Sequence, residues 1–423
     1  MNTILSFYIN SFKGLSREVW TLAIVLLINR SGMMVLPFLT LYSTKDLGFT
    51  ITQAGIVTGM YGAGSLAGSW LGGWLTDRVG FYPVLSRSLV LGGLGMASLL
   101  LFRDFHVLCL VIFLTSTILD ASRPPLMAAV SIFSKPENQT RAIALIRMAL
   151  NLGISIGPAV AGLLAGTLGY DWLFIIDGIT CLLAALYLIR NLDPSQKKRP
   201  KPEIPATGAK RASSDTIYLL FLLVAAINIV AFMQIMSTAP LFFSEVMQLS
   251  ETQIGLFFTF NGLLVFVFEM PLVSYSQRIW TPFKSMILGA LLIGFGVLSL
   301  NLPVHWLIAI TLYNVLISFG EIINFPFGNS LALTRAPAHL KGKYMGFWAM
   351  MFSSTFIIAP VLGTRLIEYF GFTVTWFVIA GLSFISIPGF IWIRNRWDRE
   401  ECRMSKDEGR ITNQSADRPK ERQ

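Results

Sequence analysis

The stretch Gly72-Gly73-Trp74-Leu75-Thr76-Asp77-Arg78-Val79-Gly80 decides how this chain is read. It is a short charged turn between two long apolar runs. Gln53-Ala54-Gly55 precedes it, and Gln253-Ile254-Gly255 stands further on as a copy. At the same spacing Asp77-Arg78 becomes Gln277-Arg278. The repeat continues: Asp120 matches Glu321, Pro125 matches Pro326, Pro136 matches Pro337, Arg141 matches Lys343, and Pro158 matches Pro360. A chain of two similar halves, each mostly apolar, is expected. Matched segments enter the membrane in the same direction, so the repeat is parallel, about an axis along the membrane normal.

Composition sets the class. Of 423 residues, 54% are hydrophobic and 13% charged, and the mean hydropathy is +0.64. Soluble domains carry roughly 25% charged residues, so this chain cannot coat a globule with a water-compatible surface. Apolar runs long enough to span a bilayer as helices recur from Trp20 to Trp392. They do not alternate apolar and polar as barrel strands do. Twelve spans are expected, near 18–42, 52–76, 81–102, 106–133, 140–168, 172–191, 216–244, 252–277, 281–301, 304–334, 342–369 and 372–394. The fold class is an all-α integral membrane protein, with twelve transmembrane helices in two six-helix pseudo-symmetric halves. The halves are 1–191 and 216–395. Residues 192–215, rich in Lys, Pro and Ser, read as a linker, and 396–423 as a disordered tail.

The net charge of +10 would suggest nucleic acid in a soluble protein. Here the basic residues sit in alternate connections: Lys13 and Arg17, Arg78 and Arg87, Lys135 and Arg141, the run from Lys197 to Arg211, then Arg278 and Lys284. That is the positive-inside pattern with both termini cytoplasmic, and it argues against nucleic acid as a partner. A bacterial cytoplasmic (inner) membrane is the expected site. Cys109, Cys181 and Cys402 imply no disulfide framework. No secretory cleavage site follows the N-terminus, so the first span is expected to stay as the anchor. No metal-ligand spacing, nucleophile with its base, or phosphate-cradling loop is present. The chain reads as no enzyme, with no cofactor and no metal.

The pattern Gly73-x-Leu75-x-Asp77-Arg78-x-Gly80 resembles the signature between spans two and three of the major facilitator superfamily of secondary transporters. The resemblance covers about residues 18–394. One departure is that Phe81-Tyr82 stands where the family has basic residues. Gly153-x-x-x-Gly157-Pro158-x-x-Ala161-Gly162 resembles the motif of the drug:proton antiporter branch, with Ala161 in place of a Gly. Arg123 resembles the basic residue of a third family motif. Gly73, Asp77, Arg78, Gly80, Gly157 and Pro158 are therefore candidate gating residues. The resemblance implies that Asp77 latches onto the cytoplasmic N-terminus of span eleven, around Lys343. A carboxylate at a helix N-terminus gains about 0.3–1 kcal/mol. The plain alternative is a solvated turn that sets topology.

Charges inside the spans carry the chemistry: Arg30, Asp120, Arg123, Arg147, Glu269, Glu321 and Arg365. An Arg or Asp at the centre of a membrane helix costs about 2.5–3.5 kcal/mol, so each is expected to face a cavity or a partner. Buried acids can take up protons, because desolvation disfavours the charged form. Glu321 ranks first as proton carrier, since no cation lies within one turn. Glu269 ranks second. Asp120 ranks third, since Arg123 at i+3 should hold it ionised. Arg30 either binds an anionic substrate group or neutralises an acid such as Asp120. Arg147 is expected to snorkel to the cytoplasm, and Arg365 to pair with Glu368. Arg30, Arg123, Asn261, Asn324 and Phe325 are the candidate substrate-binding residues.

These features fit a secondary active transporter working by alternating access, with proton-coupled efflux of small amphipathic compounds. Its expected partners are a small-molecule substrate, protons and membrane lipid, and it is expected to act as a monomer. Proton-coupled uptake of an organic anion or nutrient is the alternative within the class. A non-transporting membrane sensor is the alternative outside it.

Overall fold

A computed structural model describes residues 15–135, 138–193, 212–336 and 340–416. The described residues are helical, with no strand among them. Ten segments meet the length and hydropathy of a membrane span, against the twelve expected. The last of these, Tyr344–Glu400, bends at Gly371, whose φ of 73° ends one helix and starts the next. Ile51–Val79 is a further helix of 29 residues, and its many glycines dilute its hydropathy. The described chain thus forms twelve long helical rods, numbered here as spans one to twelve. Span nine is Pro282–Ser299, span ten Trp306–Arg335, and spans eleven and twelve are the parts of Lys341–Ala416 before and after Gly371.

Local chemistry explains both the repeat and the breaks. Span two (Ile51–Val79) and span eight (Glu251–Ile279) each open on a capping box, Thr50 with Gln53 and Ser250 with Gln253. In each, the hydroxyl accepts a backbone N–H and the Gln side chain satisfies another. Span one is two helices, Arg17–Ser31 and Val35–Leu41. Span seven is likewise interrupted between Thr216–Phe232 and Ala239–Glu245. Span four divides into Phe105–Asp120 and Arg123–Phe133, where Pro124 and Pro125 occupy the first turn. Gly80 joins spans two and three with a φ of 89°, which favours glycine.

Glycine also fixes how the halves meet. A Cβ on Gly55 would lie 2.9 Å from the carbonyl of Pro360, and one on Gly255 would lie 2.5 Å from that of Pro158. Span two therefore packs on span eleven, and span eight on span five (Gln139–Thr167), backbone against backbone. Lys45 Nζ donates to Glu251 Oε1 across the halves at 2.8 Å. The Thr40 hydroxyl donates to the carbonyl of Ser237 at 2.9 Å. Glu368, expected to pair with Arg365, accepts instead from the backbone N–H of Thr52 at 3.0 Å. All these contacts lie on the face opposite the termini.

The apolar cores follow the same division. One core at the far face takes residues from both halves, from Met34, Phe38 and Tyr42 to Phe243, Phe257 and Trp376. Toward the termini each half has its own core, around Leu22, Leu85 and Ala142 in the first and Phe221, Tyr344 and Phe390 in the second. The halves are fused at the far face and apart at the termini face.

The C-terminal end departs from expectation. The last helix continues past Arg396 to Ala416. Trp397 packs edge-on against Phe221 and Phe283, and Glu400 pairs with Arg335. Those contacts hold in place a segment expected to be disordered; residues 417–423, and 194–211 of the linker, lie outside the described residues. Asp215, the cap of span seven, accepts two hydrogen bonds from Arg335 (2.9 and 3.0 Å) and one from Tyr344 (3.0 Å).

Two outcomes follow. Gly255→Leu forces its side chain onto the Pro158 carbonyl and breaks the far-face seal. A cysteine at Thr40, fully buried in the native chain, is then expected to react faster with an impermeant maleimide than in the Gly255 background. Equal rates would show that this contact does not make the seal. At Asp215, burial works against the charged form, but the Arg335 hydrogen bonds outweigh it and the carboxyl lies below its ordinary value of 3.8. A depressed folded value stabilises above the unfolded value and is lost as pH falls through the folded one. Thermal stability should therefore drop below about pH 4. Asp215→Asn should flatten that limb at a cost of up to about 3–5 kcal/mol, the range for breaking a buried ion pair.

Candidate functional site

A chamber of about 520 Å³ lies between the halves, and Arg30, Arg123, Asn261, Glu321 and Phe325 line it. A second space of about 1110 Å³ continues it toward the termini face, past Arg147, Glu269 and Asn329. The two share Arg123, Glu321 and Phe325 as common wall. Most of the remaining wall is apolar, with aliphatic side chains such as Leu26 and Leu89 beside Phe232, Met236, Phe352 and Phe356. Phe232 meets Phe325 edge-on, with centroids 4.8 Å apart.

The charges that line this space separate by half. Arg30, Arg123 and Arg147 come from the first; Glu269 and Glu321 come from the second. Asp120 and Arg123 form the expected ion pair at 2.7 Å, but not on one continuous helix. Asp120 is the last residue of its helix and Arg123 the first of the next. Each sits at the helix end that disfavours its own sign, and the pairing offsets both penalties. Asp120 Oδ2 has no donor.

Glu269 is held where a free carrier was expected. Arg147 reaches across the halves to its Oε1, and Asn151 Nδ2 donates to its Oε2 at 2.7 Å. Arg147 thus lies against an acid of the other half instead of snorkelling outward. Glu321 makes no hydrogen bond or ion pair among the described residues. The carboxylate ranked first from sequence stands unpaired on the cavity wall.

Other candidates distribute unevenly. Asn324 does not line the cavity: its Nδ2 donates to Asn228 Oδ1 at 3.1 Å and to the Met286 carbonyl at 3.0 Å, inside the second half. That network, continued by Asn228 to Ser383, binds helices together, so the substrate-binding expectation for Asn324 fails. Asn261 borders the chamber while donating to Ser318 Oγ at 2.7 Å. Gly157 packs on the break of span one, its Cβ position 3.2 Å from the Ser31 carbonyl. Pro158 presents its carbonyl to Gly255. Gly73 stands clear, with only Pro124 at 4.0 Å. Asp77 is exposed, and no described residue forms an ion pair with it. Arg78 lies 4.0 Å over the Trp74 ring. The side chain of Lys343, the expected partner of Asp77, lies outside the described residues.

Sequence reasoning passed over Asp177. This buried acid of span six (Asp171–Asn191) lies beside the start of the outer piece of span one, near the backbone of Met34 and Val35, and accepts from the Cys181 thiol at 3.8 Å. Thr180 and Cys181 pack on the same break, against Gly32 and Asn29. The available signal was an acid alone in the apolar run 174–181.

The Arg147–Glu269 pair bridges the halves on the open side. Glu269→Gln should loosen it and increase labelling of a cysteine placed at Asn329 in the cavity wall. The exchanged pair, Arg147→Glu with Glu269→Arg, should return labelling toward the native rate. No recovery would mean that the pair does not hold the halves.

Comparison with known proteins agrees with this geometry. "Uncharacterized MFS-type transporter YttB" of Bacillus subtilis is 24% identical over 381 residues, covering 88% of this chain and 94% of its own. "Multidrug resistance protein MdtH" of Aeromonas hydrophila is 25% identical over 343 residues, with 78% and 82% covered. The crystal structure of a peptide transporter, POT, in complex with sulfate superposes with a TM-score of 0.76 at 18% identity, covering 91% of this chain and 96% of that one. At that identity the likeness concerns the fold. The family profile described as Major Facilitator Superfamily matches residues 20–354, and the chain belongs to that superfamily of membrane transporters.

Proposed function

We propose that this protein exports small amphipathic compounds in exchange for protons, by alternating access. Glu321 carries the reading. It is an unpaired carboxylate of the second half, on the wall of an apolar chamber between the halves. An acid with no cation to hold its charge can gain a proton when sealed from water and lose it when wetted. The halves are closed at the far face and open toward the termini, which the positive-inside pattern assigns to the cytoplasm. A compound enters from that side, the halves rock about the glycine contacts, and proton exchange at Glu321 ties the return to the gradient. The multidrug-resistance relatives support export, and their bacterial hosts support an inner membrane. We take 1–191 and 216–395 as the moving units of a monomer.

A second reading has one observation in its favour. Arg30 and Arg123 line the chamber, which suits uptake of an organic anion or polar nutrient. A POT family transporter has been solved with 5-aminolevulinic acid.

Proton direction separates the two. In vesicles holding a pH dye, with protein-free vesicles as the baseline, antiport drives protons out as an added amphipath enters. Symport acidifies the lumen. Glu321→Gln should abolish the pH change while the protein still binds the compound. Proton movement that survives this substitution would sink the assignment to Glu321, and no movement in either direction would sink both transport readings.

A further inference from the structure

Two charged groups in the 520 Å³ chamber have no hydrogen-bonded counterion among the described residues, and they come from opposite halves. On the first half, Arg30 is nine-tenths buried, at 9% exposure. Its Nε has no acceptor, and its Nη1 finds only the thioether of Met33, at 3.2 Å. Asp120 and Asp177 lie within its electrostatic reach, as does the opposing charge of Arg123. Neither acid accepts a hydrogen bond from it: Asp120 is paired with Arg123, and Asp177 accepts from the Cys181 thiol at 3.8 Å. On the second half, Glu321 has neither hydrogen-bond donor nor ion-pair partner among the described residues. Met33, Met236, Phe232 and Phe325 line the same chamber. The other charges of the wall cancel in pairs, Arg123 with Asp120 and Arg147 with Glu269.

We propose that the chamber selects dipolar compounds: an aromatic or aliphatic body with an anionic group that meets Arg30 and an amine that meets Glu321. This rests on the reading that the chamber is the substrate site. A buried guanidinium without an acceptor is costly, and an anion that supplies one gains a charge-assisted hydrogen bond. A lone cation satisfies Glu321 but faces Arg30. A lone anion satisfies Arg30 but faces Glu321. Each is disfavoured by one wall, so the charge division rejects singly charged solutes as well as attracting doubly charged ones. The volume falls within the range of drug-sized ligand sites, which leaves room for a two-ring body between the charges.

The test uses the full-length protein in nanodiscs and three probes on one rigid body: 4′-(aminomethyl)biphenyl-4-carboxylate, biphenyl-4-ylmethylamine and biphenyl-4-carboxylate. Titration calorimetry should give the zwitterion at least a roughly tenfold lower Kd than either singly charged probe, as expected for one extra charged hydrogen bond. Arg30→Gln should bring the zwitterion to the affinity of the amine, and Glu321→Gln to that of the carboxylate. Arg30→Lys, which keeps the charge, should preserve part of the preference and controls for folding. An amine or carboxylate that binds native protein as tightly as the zwitterion overturns the proposal without using any variant. If a singly charged amphipath drives proton exchange in vesicles and the zwitterion has no advantage, the transport reading stands and this one falls. If no probe binds and none moves, both fall.

Discussion

The architecture depends on two backbone contacts made possible by glycine: Gly55 under the Pro360 carbonyl and Gly255 under the Pro158 carbonyl. They are copies of one another, because both the Gly pair and the Pro pair belong to the sequence repeat. Helices this close cannot be held apart by side chains, and packing with small residues is how membrane helices approach without a hydrophobic driving force between them. Placed at the far face, the contacts bring apolar residues of both halves into one core. They leave each half to complete its own core at the termini face. The cavity is what remains between two separately packed ends. A junction of flat backbone surfaces also lets two packed bodies rock without repacking either interior.

Charge inside such a protein is costly, and ion pairs offset much of it at several structural levels. Asp120 and Arg123 join two pieces of one span. Arg147 and Glu269 join the two halves. Asp215, Arg335 and Glu400 join the start of span seven, the end of span ten and the extension of span twelve. The last cluster makes the termini face of the second half a clamp. The matching face of the first half carries the turn at Asp77, exposed beside Arg78 and Trp74. The inequality first seen as Asp77 against Gln277 is thus one of structure: one half is tied to its own tail, and the other presents an exposed carboxylate.

How much of this was legible in the sequence depended on distance along the chain. Gln53 and Gln253 act within one turn, as capping boxes, and Gly80 takes a turn conformation set by its own backbone; local physics fixes both. The repeat gave the halves because a span is long and its composition distinctive. Arg147 was misread because its acid lies 122 residues away in the other half, and hydropathy reports a helix but not its rotation. Asn324 was misread for the same reason: nothing in its neighbours says whether it turns toward the cavity or toward Asn228. The tail looked disordered because its charges outnumber its apolar residues. The anchors Trp397 and Glu400 find partners only once spans seven, nine and ten are assembled.

The break in span one sets the buried cation of the chamber where the two kinds of core meet. Arg30 sits in the last turn of the inner piece, where a cation favours the helix end. Asp177 lies beside the first residues of the outer piece. Between them, Gly32 admits Thr180 so closely that a Cβ would lie 1.6 Å from its hydroxyl. Gly153 and Gly157 admit span one against span five at the same level. The inner piece packs in the core of the first half alone, and the outer piece in the core shared by both. The joint between them therefore lies where the separate and shared cores meet. A group bound to Arg30 changes the charge at the end of the piece that belongs to one half, a single loop from the piece that belongs to both. Spans one and seven are interrupted at matching points of the repeat, yet only the first carries this charge. The cation of the chamber thus belongs to the joint of the first half, while the carboxylate of Glu321 comes from the second.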